Sequence, residues 1–126
     1  MQPFVLIAIG AIIGANARYA VSNWAAHRFG TGFPVGTLLV NVSGSLLLAA
    51  LITATAALLG MDEEARLLAG TGFCGAYTTF STFAYETLAL ARRGAVGHAV
   101  LNVVANVVLG LAAATAGVFI ASRFVG

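Results

Sequence analysis

Gly70-Thr71-Gly72-Phe73-Cys74-Gly75-Ala76-Tyr77-Thr78-Thr79-Phe80-Ser81-Thr82-Phe83 sets three glycines and a run of hydroxyl side chains inside an otherwise apolar segment. Glycine and β-branched threonine both weaken a helix. Non-helical backbone at membrane depth is tolerated only where protein or a water-filled cavity satisfies the carbonyls and amides it frees. The stretch therefore predicts a transmembrane helix that is broken, with the break lining a functional interior. Bare carbonyls at such breaks suit cations and helix N-termini suit anions, through the partial charges of unpaired backbone groups. The competing expectation is a continuous helix whose Thr and Ser bond back onto their own carbonyls.

The membrane setting comes from the rest of the chain. Of its 126 residues, 60% are hydrophobic and 8% charged, whereas roughly a quarter of the residues of a soluble domain are charged. Mean hydropathy is +0.99. A hydrocarbon core about 30 Å thick takes roughly 20 helical residues to cross. Four segments of that length fit, at about 4–26, 34–59, 65–91 and 96–122, giving an all-α membrane protein with four transmembrane helices in one domain over 1–126. Between them lie polar connectors at 27–33, at 60–64, which holds three of the four acids, and at Arg92-Arg93-Gly94. Connectors this short make neighbouring helices antiparallel. Met1-Gln2-Pro3 carries no Arg or Lys ahead of its apolar run, so the first segment is expected to be a retained span rather than a cleaved leader.

The formal charge is only +2, with no lysine and no basic patch, which argues against a nucleic-acid partner. Cys74 has no second cysteine to pair with and is expected to be a small packed side chain. Gly10-xxx-Gly14 in the first span, and Gly110 and Gly117 in the fourth, read as faces for close helix packing. Arg66 and Arg123 fall on one side of the membrane, and Arg28, Arg92 and Arg93 on the other. That near balance barely specifies an orientation and fits dual topology, with oppositely inserted copies pairing as an antiparallel dimer.

Polar side chains recur along two helical faces. Thr37, Asn41 and Ser45 stack in the second span, and His98, Asn102 and Asn106 in the fourth, with Gly110 next in line. Amides and hydroxyls donate hydrogen bonds to an anion without carrying charge, although the same stripes also serve as glue between helices in lipid. Phe80 and Phe83 lie three apart and share a face, where ring edges favour an anion. Arg18 and Glu86 are ionisable residues well inside spans, which are rare in membranes and usually functional. Arg18 either draws anions into a vestibule or snorkels to the interface, and Glu86 is expected beside the path rather than in it.

With these residues in place the chain resembles the Fluc, or CrcB-type, fluoride channel family. The matching stretches are Gly10-xxx-Gly14 with Arg18-Tyr19, Gly36-Thr37-Leu38-Leu39-Val40-Asn41-Val42-Ser43-Gly44-Ser45, and residues 72–83 with Glu86 behind them. The resemblance implies an antiparallel dual-topology homodimer with two narrow pores. It also implies passive, selective fluoride export from the cytoplasm across the bacterial inner membrane. By position, Asn41 matches the pore-lining amide, Phe80 and Phe83 the phenylalanine box, and Ser81 and Thr82 the hydroxyls near the pore. The carbonyls of Gly75 and Thr78 match the ligands of a structural Na⁺ at the dimer interface. In the fourth span this chain departs from the family's aromatic and serine pattern, reading Asn102, Asn106, Gly110, with Asn106 the expected pore residue.

The main rival is a small dual-topology exporter exchanging protons for cationic drugs. That chemistry needs an acid deep in the membrane, typically in the first helix, which here has Arg18 and no acid. A third reading is an accessory subunit of a larger transporter. No nucleophile–base constellation and no cluster of metal-ligand side chains points to an enzyme.

Overall fold

A computed structural model describes residues 2–57 and 63–126, and among them every regular element is helical. Helix α1 is Gln2–Phe29 and α2 is Val35–Ala57. Helix α3 covers residues 63–77: an α turn at Glu63–Ala65, wide i→i+5 winding over Arg66–Cys74, and a last α turn at Gly75–Tyr77. Helix α4 is Phe80–Arg92 and α5 is Val96–Val125. Three helices, α1, α2 and α5, are long and apolar enough to cross a membrane. The third apolar segment is divided between α3 and α4 and does not form one such helix.

Helix ends differ from the sequence expectation in ways that chain chemistry explains. The 27–33 connector begins later, because α1 continues through His27 and Arg28, cations that suit a helix C-terminus. It stops at Gly30, whose φ of +79° most side chains disfavour. Pro34 has no N–H to lose and its carbonyl accepts from Leu38 N at 3.2 Å, opening α2. Glu63 and Glu64, expected in a loop, instead form the first turn of α3, where acids complement the helix dipole. The remainder of that loop and the end of the second span, residues 58–62, lie outside the described residues. Helix α4 closes at Gly94 (φ +86°), with Gly94 N bonding Ala91 O at 3.1 Å and Ala95 N bonding Leu90 O at 2.9 Å. This pairing satisfies the last carbonyls of the helix.

The helices run up and down, so that Arg66 and Arg123 share one end and Arg28, Arg92 and Arg93 the other. Gln2 bonds Glu64 at the first end, and Arg93 Nη2 bonds Gly32 O at 2.6 Å at the second. Large apolar side chains cover the outside of α1 and α5, among them Phe4, Ile12, Leu111 and Phe119, as a lipid-facing surface requires.

Glycines set the packing. A Cβ on Gly10 would fall 2.0 Å from Leu68 O, one on Gly14 2.3 Å from Phe73 O, and one on Gly72 2.7 Å from Ile7 O. Helices α1 and α3 thus meet backbone to backbone, the route to association where lipid removes the hydrophobic drive. Gly117 does the same for α5 against Leu46 O of α2, whereas Gly110 meets only Ser45 Oγ at 3.9 Å. Cys74 is buried, as a small packed side chain should be. The third segment changes partners along its length: α3 lies mainly against α1, whereas α4 lies mainly against α5.

Gly10→Ala is expected to lower thermal stability in detergent by about 3 kcal/mol or to prevent assembly, because its new methyl meets rigid backbone. Gly97→Ala, whose new methyl meets nothing within 4 Å among the described residues, is expected to leave the melting temperature unchanged or higher.

Candidate functional site

Helical geometry stops at Thr78 (φ −83°, ψ 159°) and Thr79 (φ −152°, ψ 119°), both extended, and resumes at Phe80. The chain leaves the helix after the glycines rather than at them: Gly72 is packed against α1 and Gly70 lies against Leu48 and Leu51 of α2. At this point the segment crosses α2. A Cβ on Gly44 would fall 2.2 Å from Thr78 Cγ2, so only glycine lets the crossing chain lie this close.

One turn away on α2, Asn41 takes both backbone groups of Thr79. Its Oδ1 accepts from Thr79 N at 2.8 Å and its Nδ2 donates to Thr79 O at 3.1 Å. This clasp imitates a rung of a sheet and leaves neither group unpaired in a setting where each would cost several kcal/mol. The second hydrogen of Nδ2 goes to Asn106 Oδ1 at 3.0 Å. Asn106 in turn donates to Asn102 Oδ1 at 3.0 Å, and the fully buried Asn102 donates to Thr87 Oγ1 at 2.9 Å. Thr87 ends the relay on Phe83 O at 2.8 Å. The amides expected along the fourth span therefore join one chain of hydrogen bonds with Asn41.

Thr79 also caps α4. Its Oγ1 accepts from Thr82 N at 3.2 Å and donates to Thr82 Oγ1 at 3.0 Å, with Ser81 Oγ at 3.4 Å. A helix start leaves its first N–H groups without intrahelical partners, and this cap supplies one to Thr82 N.

Two neighbouring grooves open beside the break. The first, of about 320 Å³, brings Asn41, Ser45, Phe80, Phe83 and Asn106 together with Thr78 and Thr79. The rings of Phe80 and Phe83 stand 5.7 Å apart, tilted by 57°, and Phe80 is 79% exposed at the flank of the chain. The second groove, of about 350 Å³, is lined by Gly75 and Thr78 with Thr71 and Arg66. Leu48 and Thr78 belong to both walls.

Other expected residues lie elsewhere. Ser81 and Thr82 are exposed and line neither groove, their hydroxyls gathering on Thr79. Arg18 is half-buried on α1 and likewise lines neither groove. Thr37 donates to Glu86 Oε1 at 3.0 Å in a third cavity, of about 200 Å³, whose wall includes Arg93; Glu86 Oε2 is buried without a partner among the described residues. His98, near the start of α5, makes a T-shaped contact with Phe33, ring centroids 6.0 Å apart. Sequence reading did not single out Thr79, although a Thr opening a helical run is an N-cap signal. Nor did it single out Tyr77, whose hydroxyl meets Ser43 Oγ at 2.9 Å.

A family model described as CrcB-like protein, camphor resistance (CrcB), matches residues 5–118. A protein of Acidobacterium capsulatum named fluoride-specific ion channel FluC is 43% identical over 97% of this chain and 98% of its own length. Relatives of the same name are 43% identical over the full length of both chains in Chloroflexus aurantiacus, and 49% identical over 86% of this chain and 87% of their own in Shewanella amazonensis.

Asn41→Ala strips partners from Thr79 N, Thr79 O and Asn106 Oδ1 and is expected to cost about 3 kcal/mol in detergent unfolding. Ser43→Ala, whose hydroxyl mainly bonds back to Leu39 O, is expected to cost less than about 1 kcal/mol.

Proposed function

The chain belongs to the CrcB family, and we propose that it is a fluoride-selective passive channel whose ion passes the groove of Asn41, Phe80, Phe83 and Asn106. One observation carries the reading: an uncharged amide with every hydrogen already directed sits beside two phenyl rings in the same groove. Fluoride is small and holds its water tightly, so a pore must replace that water with close donors. An ion reaching Asn41 takes one of its Nδ2 hydrogens from Thr79 O or Asn106 Oδ1. One acceptor is thus exchanged for another, and binding stays favourable yet weak enough to release. Ring edges carry partial positive charge and add attraction without a fixed cation that would trap the ion. Glu86 stands off this groove, where its charge does not oppose the anion. Ser81 and Thr82, outside the groove at the capped start of α4, are the hydroxyls proposed near the pore, and Arg18 is proposed to draw anions toward its entrance.

The working unit we propose is an antiparallel homodimer in the bacterial plasma membrane, with the divided third segment completing a fourth crossing and two pores per pair. The near-even arginine count supports dual topology. Support for pairing comes from the position of both grooves at the chain's flank, where Phe80 and Gly75 are exposed and a second copy would supply the missing wall. The carbonyls of Gly75 and Thr78 are the groups proposed to hold a Na⁺ shared by the two copies. The residues fit such an ion: a hard cation takes oxygen ligands, and Gly75 leaves its approach open, with nothing closer to a built Cβ than Gly70 O at 4.0 Å.

Liposomes loaded with fluoride or chloride are expected to release fluoride rapidly and retain chloride, as read by ion-selective electrodes. Proton-coupled uptake of a cationic dye without fluoride release would overturn the assignment in favour of an exporter. Phe80→Ile and Phe83→Ile are each expected to slow fluoride release roughly two- to tenfold, from the loss of one ring's edge.

A further inference from the structure

In an unbroken α-helix the N–H of residue 79 would bond Gly75 O, and the N–H of residue 82 would bond Thr78 O. Neither donor is used that way. Thr79 N goes to Asn41 Oδ1 at 2.8 Å, and Thr82 N goes to Thr79 Oγ1 at 3.2 Å. The two carbonyls proposed above as cation ligands are therefore those whose α-helical donors two side chains have diverted.

We propose that Asn41 and Thr79 are positioning residues for the cation site: each withholds one backbone donor, and so keeps one carbonyl, Gly75 O or Thr78 O, available to the ion. The inference rests on the reading of Gly75 and Thr78 as Na⁺ ligands. Asn41 then serves both grooves at once: it lines the anion groove itself, and its Oδ1 holds the N–H of Thr79, the neighbour of Thr78 in the wall of the cation groove. Thr79 acts through its hydroxyl, which a valine lacks and a serine keeps. Without that hydroxyl the extended pair Thr78–Thr79 loses one of the ties that hold it out of the helix; where it rewinds, Thr82 N closes on Thr78 O as the next turn, and the ion must compete with a backbone hydrogen bond. Such a bond is worth enough to raise the required Na⁺ concentration roughly three- to tenfold. A conventional structural role for Thr79 would lower stability equally at every Na⁺ concentration.

The test measures melting temperature of the full-length protein in detergent as NaCl replaces choline chloride at constant ionic strength. Wild type is expected to gain stability with Na⁺, Thr79→Val to need roughly three- to tenfold more Na⁺ for half the gain, and Thr79→Ser to match wild type. An unchanged half-point in Thr79→Val, alongside a normal wild-type response, overturns the positioning role and leaves the cation reading intact. A wild type indifferent to Na⁺ overturns the cation reading and this inference with it. Should Thr79→Val not fold, Asn41→Ala probes the other carbonyl: a raised half-point supports the proposal and an unchanged one overturns it.

Discussion

Everything around the break depends on how two extended residues are satisfied inside a membrane. Lipid offers no hydrogen bonds, so Thr78 and Thr79 can leave the helix only if neighbouring groups take over the backbone donors and acceptors. Asn41 does this for Thr79 with one side chain and two bonds. Its place on α2 is fixed in turn by Gly44, one turn on, which lets the crossing segment lie against the helix. Change either residue and the third segment loses the point at which it passes from α1 to α5.

The partner change explains why the two halves of that segment differ. Helix α3 is held by glycines that admit backbone contact with α1, and most of its side chains are small there. Helix α4 carries the bulky rings and the hydroxyls and begins with a capped N-terminus. Rigid packing before the break and aromatic side chains after it place Phe80 and Phe83 at the same groove as Asn41 and Asn106. Function in the proposed channel follows from that placement: neutral donors and ring edges replace water around a small anion, and none of the described residues lining the groove carries a full charge.

Much of this was legible in the sequence because the physics of the bilayer is simple. Apolar runs of span length located α1, α2 and α5, and the i, i+4 spacing of Thr37, Asn41 and Ser45 placed them on one face. Glycine and threonine content marked the third segment as unusual, but not where it would open. Gly70, Gly72 and Gly75 looked like the weak point, yet the first two are held helical by contact with α1 or α2, and the chain opens where Asn41 reaches it. Pairing across α2 is non-local, 38 residues apart, and no spacing rule reveals it. The same limit hid the relay through Asn106, Asn102 and Thr87. Ser81 and Thr82 showed their chemistry but not their partner, since an N-cap is visible only once the helix start is known.

Solution NMR of protein labelled with ¹⁵N at asparagine side chains, in detergent micelles, tests the central claim that one amide both clasps the break and serves the anion. Fluoride is expected to shift the Asn41 side-chain resonances, with a smaller shift at Asn106, while equal chloride leaves both in place. Asn41 resonances that ignore fluoride over the range in which liposomes release it would contradict the account.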